Sequence, residues 1–444
     1  MKRITLFALS LFSTILLFSQ GQNNNRELSN TEKILGLSRL WEGVRNNFVF
    51  YDQLNFNWDS LYEVSIEKVL DTKDAYSYIK ELEKIVAALK DGHTFIMHNV
   101  TPDWKDRITP APFTTKFVDG KILVNKVWSS VLIDKGVKRG VEITAIDSIE
   151  VIKYGEQILG QYVPSSTSHW LDYRVFNNYE LTKGIRTIPI NIEFYDGKKV
   201  FALNIDRNMK WDLQDKERNS GKSEMNDYST LRYTILNNNI GLMTISDFMN
   251  NSFKQLFDSI YTKILQSDAL IIDLRNNEGG NSNNADYILT HLCSKPIKTS
   301  SWGSRMYIPA HASWNYPQEW YFNSSEYLTP VEIKKIYDKP VTVLVNVGTF
   351  SSSEDFCVKF RGIKRGTLIG TTTGGSTGNG VRITLIEGFA EANICSKKDI
   401  SPDGTMFVGV GVKPDIEVKE TKQSFIDKKD IVLEKAISEL QKVK

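Results

Sequence analysis

The stretch VTVLVNVGTFSSSEDF, residues 341–356, sets the class of the fold. Val341 to Val345 is a short, unbroken apolar run of the kind found in strands buried on both faces. After Gly348-Thr349 come three consecutive serines and then a helical pattern from Glu354. A serine at a strand-to-helix turn has its hydroxyl lifted out of the sheet, and the helix N-terminus behind it favours developing negative charge. The same residues also suit a plain helix N-cap, because Ser followed by Glu is a common way to start a helix. Taken alone, the segment leaves both readings open.

Working outward, IGLMTI (240–245), ALIIDL (269–274) and GTLIGT (366–371) are further short apolar strands, separated by helical stretches. Together they predict an α/β core over 230–418, followed by an amphipathic helix in 419–444 with Ile431, Leu433, Ala436, Ile437 and Leu440 on one face. The strand ending in Asp273-Leu274-Arg275 runs into Gly279-Gly280, where adjacent glycines allow close backbone approach and free N–H groups that would suit an oxyanion. A simple strand-to-helix turn would look the same. Polar, charge-rich residues at 208–229 read as a linker.

Upstream, 111–207 is β-rich, with a tight turn at Asp147-Ser148 and a hairpin at Asp196-Gly197 joining IPINIEFY to KKVFALNI. Residues 27–110 are helical in period, through Leu37, Leu40, Trp41, Val44, Tyr78, Leu82, Ile85, Val86 and Leu89, and end at DGHTF (91–95), where Gly92 is expected to stop the helix. Residues 1–20 carry Lys2 and Arg3, the apolar run Ile4 to Phe18 and a small, polar end, the layout of a cleaved secretory signal. That run is short for a membrane span, which needs about 20 residues.

The 444 residues carry 55 basic and 53 acidic side chains, a net charge of +2 that offers no electrostatic case for nucleic acid. Cys293, Cys357 and Cys395 are odd in number, lack metal-ligand spacing and read as small hydrophobes. His93, His98, His169, His291 and His311 form no metal-binding pattern, so neither a metal nor another cofactor is expected.

The ordered set DGHTF, LIIDLRNNEGG, VLVNVGTFSSSEDF, GTLIGTTTGGSTG and GVKPDIEV resembles the tail-specific (C-terminal-processing) serine peptidases, and within them the tricorn-type branch. The resemblance implies a crotonase-like (ClpP/crotonase-type) peptidase core, an N-terminal helical region and an inserted PDZ-like β domain that captures substrate C-termini. In that β domain Val141 stands where an Asp is common, and Tyr154 to Thr187 looks like an insertion. The family's Gly-Thr-x-Ser-x-Ser-Glu block places the nucleophile at Ser351 and, with the glycine pair, an oxyanion hole at Gly279, Gly280 and Ser352.

Many members use a Lys base after the nucleophile, but Ser376 stands there in this chain, and the resemblance moves the base to His93. Lys359 and Lys364 lack the family spacing, so their loss is expected to be nearly silent. Gly92 stands where tricorn-type members carry a Ser, and Val408 near where they carry a Glu, so the group that orients His93 is open among Glu354, Asp355 and Asp403. The implied function is cleavage of exported or misfolded proteins or peptides through an acyl-enzyme, in the periplasm, at the cell envelope or outside the cell. The lost Lys and Glu keep a second reading in view, a non-catalytic protein on the same scaffold that binds peptides or small apolar ligands.

Overall fold

The computed structural model describes residues 27–99, 107–213, 230–332 and 335–442, so the expected signal segment and most of the expected linker lie outside the described residues. Among the described residues no helix is long and apolar enough to cross a membrane.

Three helices open the chain: α1 (Asn30–Asn47), α2 (Trp58–Leu70) and α3 (Ala75–Ala87). A capping box starts α1, Ser29 Oγ accepting the Glu32 N–H while the Glu32 carboxylate accepts the Ser29 N–H. Leu37, Leu40 and Val44, spaced along one helical face, join Val69, Tyr78, Leu82 and Val86 in one buried cluster. The left-handed residue after α3 is Lys90 (φ 51°), and Gly92 does not have positive φ. The expectation that Gly92 stops the helix is therefore corrected. Gly92 answers a need for space, since a Cβ there would lie 2.9 Å from Phe350 Cζ and 3.3 Å from the Ser376 side chain. Strand β1 (Phe95–His98) follows.

The β unit contains β2 (Phe113–Val118), β3 (Lys121–Val127), β4 (Glu142–Ile146), helix α4 (Ser168–Phe176), β5 (Ile190–Tyr195) and β6 (Val200–Ile205). The strands form an antiparallel sheet in the order β2-β3-β4-β5-β6. Asp147 and Ser148 both have positive φ (47° and 67°), as a tight hairpin turn requires, and Gly197 (φ 96°) turns β5 into β6. Ile190, Ile192 and Phe194 alternate inward onto Phe113, Ile122, Ile143 and Phe176. Helix α4 lies in the segment expected to be an insertion. Just beyond it, Asn178 exchanges backbone hydrogen bonds of 2.8 and 2.9 Å with Thr115 on the outer edge of β2.

The core comprises β7 (Leu231–Leu236), β8 (Ile240–Ile245), α5 (Phe253–Gln266), β9 (Ala269–Asp273), α6 (Ser282–Thr290), β10 (Val341–Val345), α7 (Ser352–Gly362), β11 (Gly366–Gly370), β12 (Gly380–Ile386), β13 (Ala390–Cys395), β14 (Ile416–Glu417) and α8 (Ile431–Gln441). Its six-stranded sheet runs β7-β8-β9-β10-β11-β14, parallel except for the β7–β8 pair. Leu270, Ile272, Val341, Val343 and Val345 pack with Phe257, Phe356 and Phe360 on one face. Ala269, Ile271, Leu344 and Ile369 pack with Ala436 and Leu440 of α8 on the other. Covered faces explain why β9 and β10 read as unbroken apolar runs rather than alternating ones. Arg275 pairs with Asp273 (2.7 Å) and Asp430 (2.8 Å), fixing the start of α8 to the end of β9. β1 joins β12 and β13 in a second sheet, Phe95 opposite Asn393. That pairing ties the residues just after His93 to the core.

Candidate active site

The loops leaving the carboxyl ends of β9 and β10 supply most of the site, the usual place for chemistry in an open parallel sheet. Ser351, at the N-cap of α7, has φ 57° and ψ −125°. A non-glycine residue in that region stores backbone strain, and the surrounding bonds must hold it there. Its N–H lies 3.1 Å from Ser376 O and 3.2 Å from Glu354 Oε2. Its Oγ lies 2.9 Å from His93 Nε2. Among the described residues Ser352 Oγ and Ser353 Oγ are buried without a partner, so of the three serines only Ser351 reaches the imidazole.

His93 is oriented from its other nitrogen. Nδ1 lies 2.8 Å from Ser376 Oγ. With Nδ1–H donated to that hydroxyl, Nε2 is the lone-pair nitrogen that accepts from Ser351. The ring is stacked on Phe350 at 4.9 Å and 4°, and the His93 carbonyl accepts from Asn393 Nδ2 at 2.6 Å. Burial first, and the Lys397 charge second, hold the imidazole down at about 4, so it is neutral and keeps a free lone pair at neutral pH. None of the three candidate carboxylates bonds His93 among the described residues. Its partner is Ser376, the residue that stands where the resemblance led one to expect a Lys.

Glu354 acts one step behind. Its fully buried carboxyl accepts the N–H groups of Ser351 (3.2 Å), Gly375 (2.8 Å) and Ser376 (3.0 Å), and the hydroxyl of Thr373. Burial nevertheless pushes it up to about 8. It ties the serine turn to the loop that carries Ser376. Asp355 accepts from Thr377 Oγ1 at 3.4 Å, and Asp403 accepts from Thr405 N and Oγ1, so neither carboxylate is spent on the imidazole.

The glycine loop touches the serine turn. A Cβ on Gly279 (φ 99°) would lie 2.8 Å from Ser351 Cβ and 3.0 Å from Ser352 N. Gly279 N–H, however, donates to Asn277 Oδ1 at 2.9 Å, whereas the N–H groups of Gly280 and Ser352 have no protein acceptor among the described residues. Of the two glycines expected as oxyanion donors, Gly279 makes the close approach with its N–H engaged, and Gly280 keeps its N–H free of a protein acceptor among the described residues. Lys359 lies away from the imidazole but is buried against Asp286 at 2.6 Å. Its loss would strand a carboxylate and cost stability, apart from the near-silent effect on activity that its spacing leads one to expect.

The sequence matches Peptidase family S41 over residues 239–418. It is 27% identical over 188 residues to a probable CtpA-like serine protease of Staphylococcus epidermidis, covering 41% of this chain and 34% of the relative. A probable CtpA-like serine protease of Staphylococcus aureus is 25% identical over 189 residues, with the same coverage. The chain therefore spans about a third of the length of the curated relatives it matches. Among solved structures, mature CPAF complexed with lactacystin superposes with a TM-score of 0.66 at 13% identity, covering 94% of this chain and 99% of that one, which shows a shared fold. Ser351, Glu354, Ser376 and the glycine pair all lie inside the residues that match peptidase family S41.

Proposed function

We propose that this protein is a serine peptidase that cleaves peptide bonds in exported or misfolded proteins or peptides through an acyl-enzyme. One observation carries the reading: a strained Ser351 has its Oγ 2.9 Å from an imidazole whose other nitrogen is already engaged. His93 Nε2 takes the Ser351 proton as Oγ attacks the substrate carbonyl, and the N–H groups of Gly280 and Ser352 receive the developing oxyanion. His93 then protonates the departing amine, and water, deprotonated by His93, releases the acid from the ester. The steps need no cofactor. A protein that only binds peptides would have no use for a strained hydroxyl aimed at a neutral imidazole.

The finer parts of the proposal are a crotonase-type core, a PDZ-like β unit and export through the apolar leader, with the mature protein periplasmic, envelope-associated or secreted. Capture of substrate C-termini finds no support at the outer edge of β2, which the chain itself occupies. Incubating the intact protein with an unfolded, fluorescence-quenched protein substrate tests the peptidase reading. Cleavage that disappears in Ser351→Ala is expected. Covalent labelling by a fluorophosphonate without cleavage of any peptide would replace the peptidase with some other serine hydrolase.

A further inference from the structure

Helix α4 belongs to the β unit, yet it and the residues leading into it touch every loop of the proposed site. Ser166 Oγ accepts the Gly92 N–H at 3.0 Å, one residue before His93. Thr167 Oγ1 donates to Gly374 O at 2.8 Å and His169 Nε2 to Thr373 O at 2.8 Å, both on the loop that carries Ser376. Trp170 stacks on Phe350 at 4.1 Å and 12°, and Phe350 stacks in turn on His93. Further along, Tyr173 Oη donates to Asn276 Oδ1 at 3.3 Å and Arg174 pairs with Glu278 at 3.4 Å, on the glycine loop.

The far end of the same segment is fixed to the edge of β2. Phe176 O accepts from Thr115 Oγ1 at 2.7 Å, Asn177 Oδ1 accepts from Phe117 N at 2.9 Å, and Asn178 completes the backbone pairing with Thr115. A peptide adding a strand to β2 would need those same backbone groups.

We propose that Thr167 and Trp170 are positioning residues of the hydrolytic site, and that helix α4 couples the outer edge of β2 to the placement of His93 and Ser376. The segment is a built-in occupant of that edge, and its docked state is the one in which the serine, imidazole and hydroxyl are aligned. Linkage then makes occupancy of the edge by another peptide antagonistic to catalysis, because the peptide must first lift Asn177 and Asn178. This rests on the reading of Ser351 and His93 as the reacting pair.

The test is the rate of fluorophosphonate labelling of the intact protein across pH, with thermal unfolding followed in parallel. An unlabelled wild type would sink the peptidase reading itself. Given a labelled wild type, Trp170→Leu is expected to slow labelling about tenfold and to move its pH limb upward, as water reaches the Phe350–His93 stack. Lys397 is the charged group that bears on His93, and none of the variants touches it. Trp170→Phe is expected to restore most of the rate. Should Trp170→Leu fail to fold, the near-isosteric Thr167→Val is expected to slow labelling severalfold through the Ser376 loop. Asn177→Ala, which touches none of the reacting groups, is expected to slow it as well. A wild-type rate and limb in both Thr167→Val and Asn177→Ala would overturn the coupling, as would Trp170→Phe labelling no faster than Trp170→Leu.

Discussion

The two large sheets of this molecule are both built from short apolar strands, but they put their exposed backbone to opposite uses. In the core, β9 and β10 are buried on both faces, and their carboxyl ends release the loops that carry Gly279, Gly280 and Ser351. In the β unit, the edge strand β2 has a row of backbone groups that could accept a peptide, and the chain fills it with Asn177 and Asn178. One sheet opens onto a site, and the other is closed by its own insertion. The difference teaches that the core supplies the serine, the glycine loop and the hydroxyl of Ser376, while His93, which faces them, comes from outside it. The match to the family covers 239–418, which holds Ser351 but not His93 or helix α4. Both are brought in by packing, His93 through the pairing of β1 with β13 and α4 through the Trp170–Phe350 stack.

The sharpest way to break this comparison is to remove the group that only the core provides. Ser351→Ala is expected to abolish covalent labelling by a serine-directed phosphonate, while Ser353→Ala, whose hydroxyl has no partner among the described residues, keeps most of it. Label retained in the first and lost in the second, read by intact mass, would move the nucleophile. His93→Gln removes the contribution from outside the core, and kcat/KM on a peptide substrate is expected to fall by about 10²–10⁴-fold with the fold retained. Wild-type turnover in that variant would leave the base unidentified.

Smaller effects sharpen the picture. Ser376→Ala deletes one neutral hydrogen bond to Nδ1, so kcat is expected to drop about tenfold with little change in KM. A loss as large as that of His93→Gln would mean that Ser376 does more than orient the ring. Lys359→Ala is expected to leave the pH profile of turnover unchanged but to cost about 3–5 kcal/mol in denaturant unfolding, because Asp286 loses its buried partner. An unchanged unfolding midpoint would show that the pair stabilises nothing. The smallest effect bears on the closed edge directly: free-acid and amidated peptides of one sequence are expected to turn over at nearly equal rates. A strong preference for the free acid would show that substrate termini are captured despite the occupied strand.

What could be read from the sequence follows the range of the interactions involved. β9, β10 and β11 were legible because continuous apolar runs need no partner to be recognised. The turns at Asp147-Ser148 and Asp196-Gly197 carry their conformational signal locally. Ser351 and His93 stood out through motif order, which compresses tertiary information that a single segment lacks. Ser376 was visible only as a missing Lys, because its bond to His93 joins residues far apart in the chain. Gly92 was read as a helix stop when its small size serves the approach of Phe350. The Asn277 side chain that takes the Gly279 N–H is a local cap beside the glycine pair, and nothing in the pair itself signals it. Thr167 and Trp170 carry no motif at all, and their part emerges only when the insertion folds back onto the core.

The most direct test of the account is the pH dependence of fluorophosphonate labelling of the intact wild-type protein, with the modified residue identified by peptide mass spectrometry. The protonated imidazole cannot take the serine proton, so the rate must rise with pH as His93 loses its charge. Because burial holds that group down at about 4, the limb shifts to the acid side of the ordinary histidine value of 6.5. The account predicts label on Ser351 and a single rising limb with its midpoint below 6.5, flat through neutral pH. Label on another serine, or a limb centred above 6.5 as a lysine base would give, would contradict it.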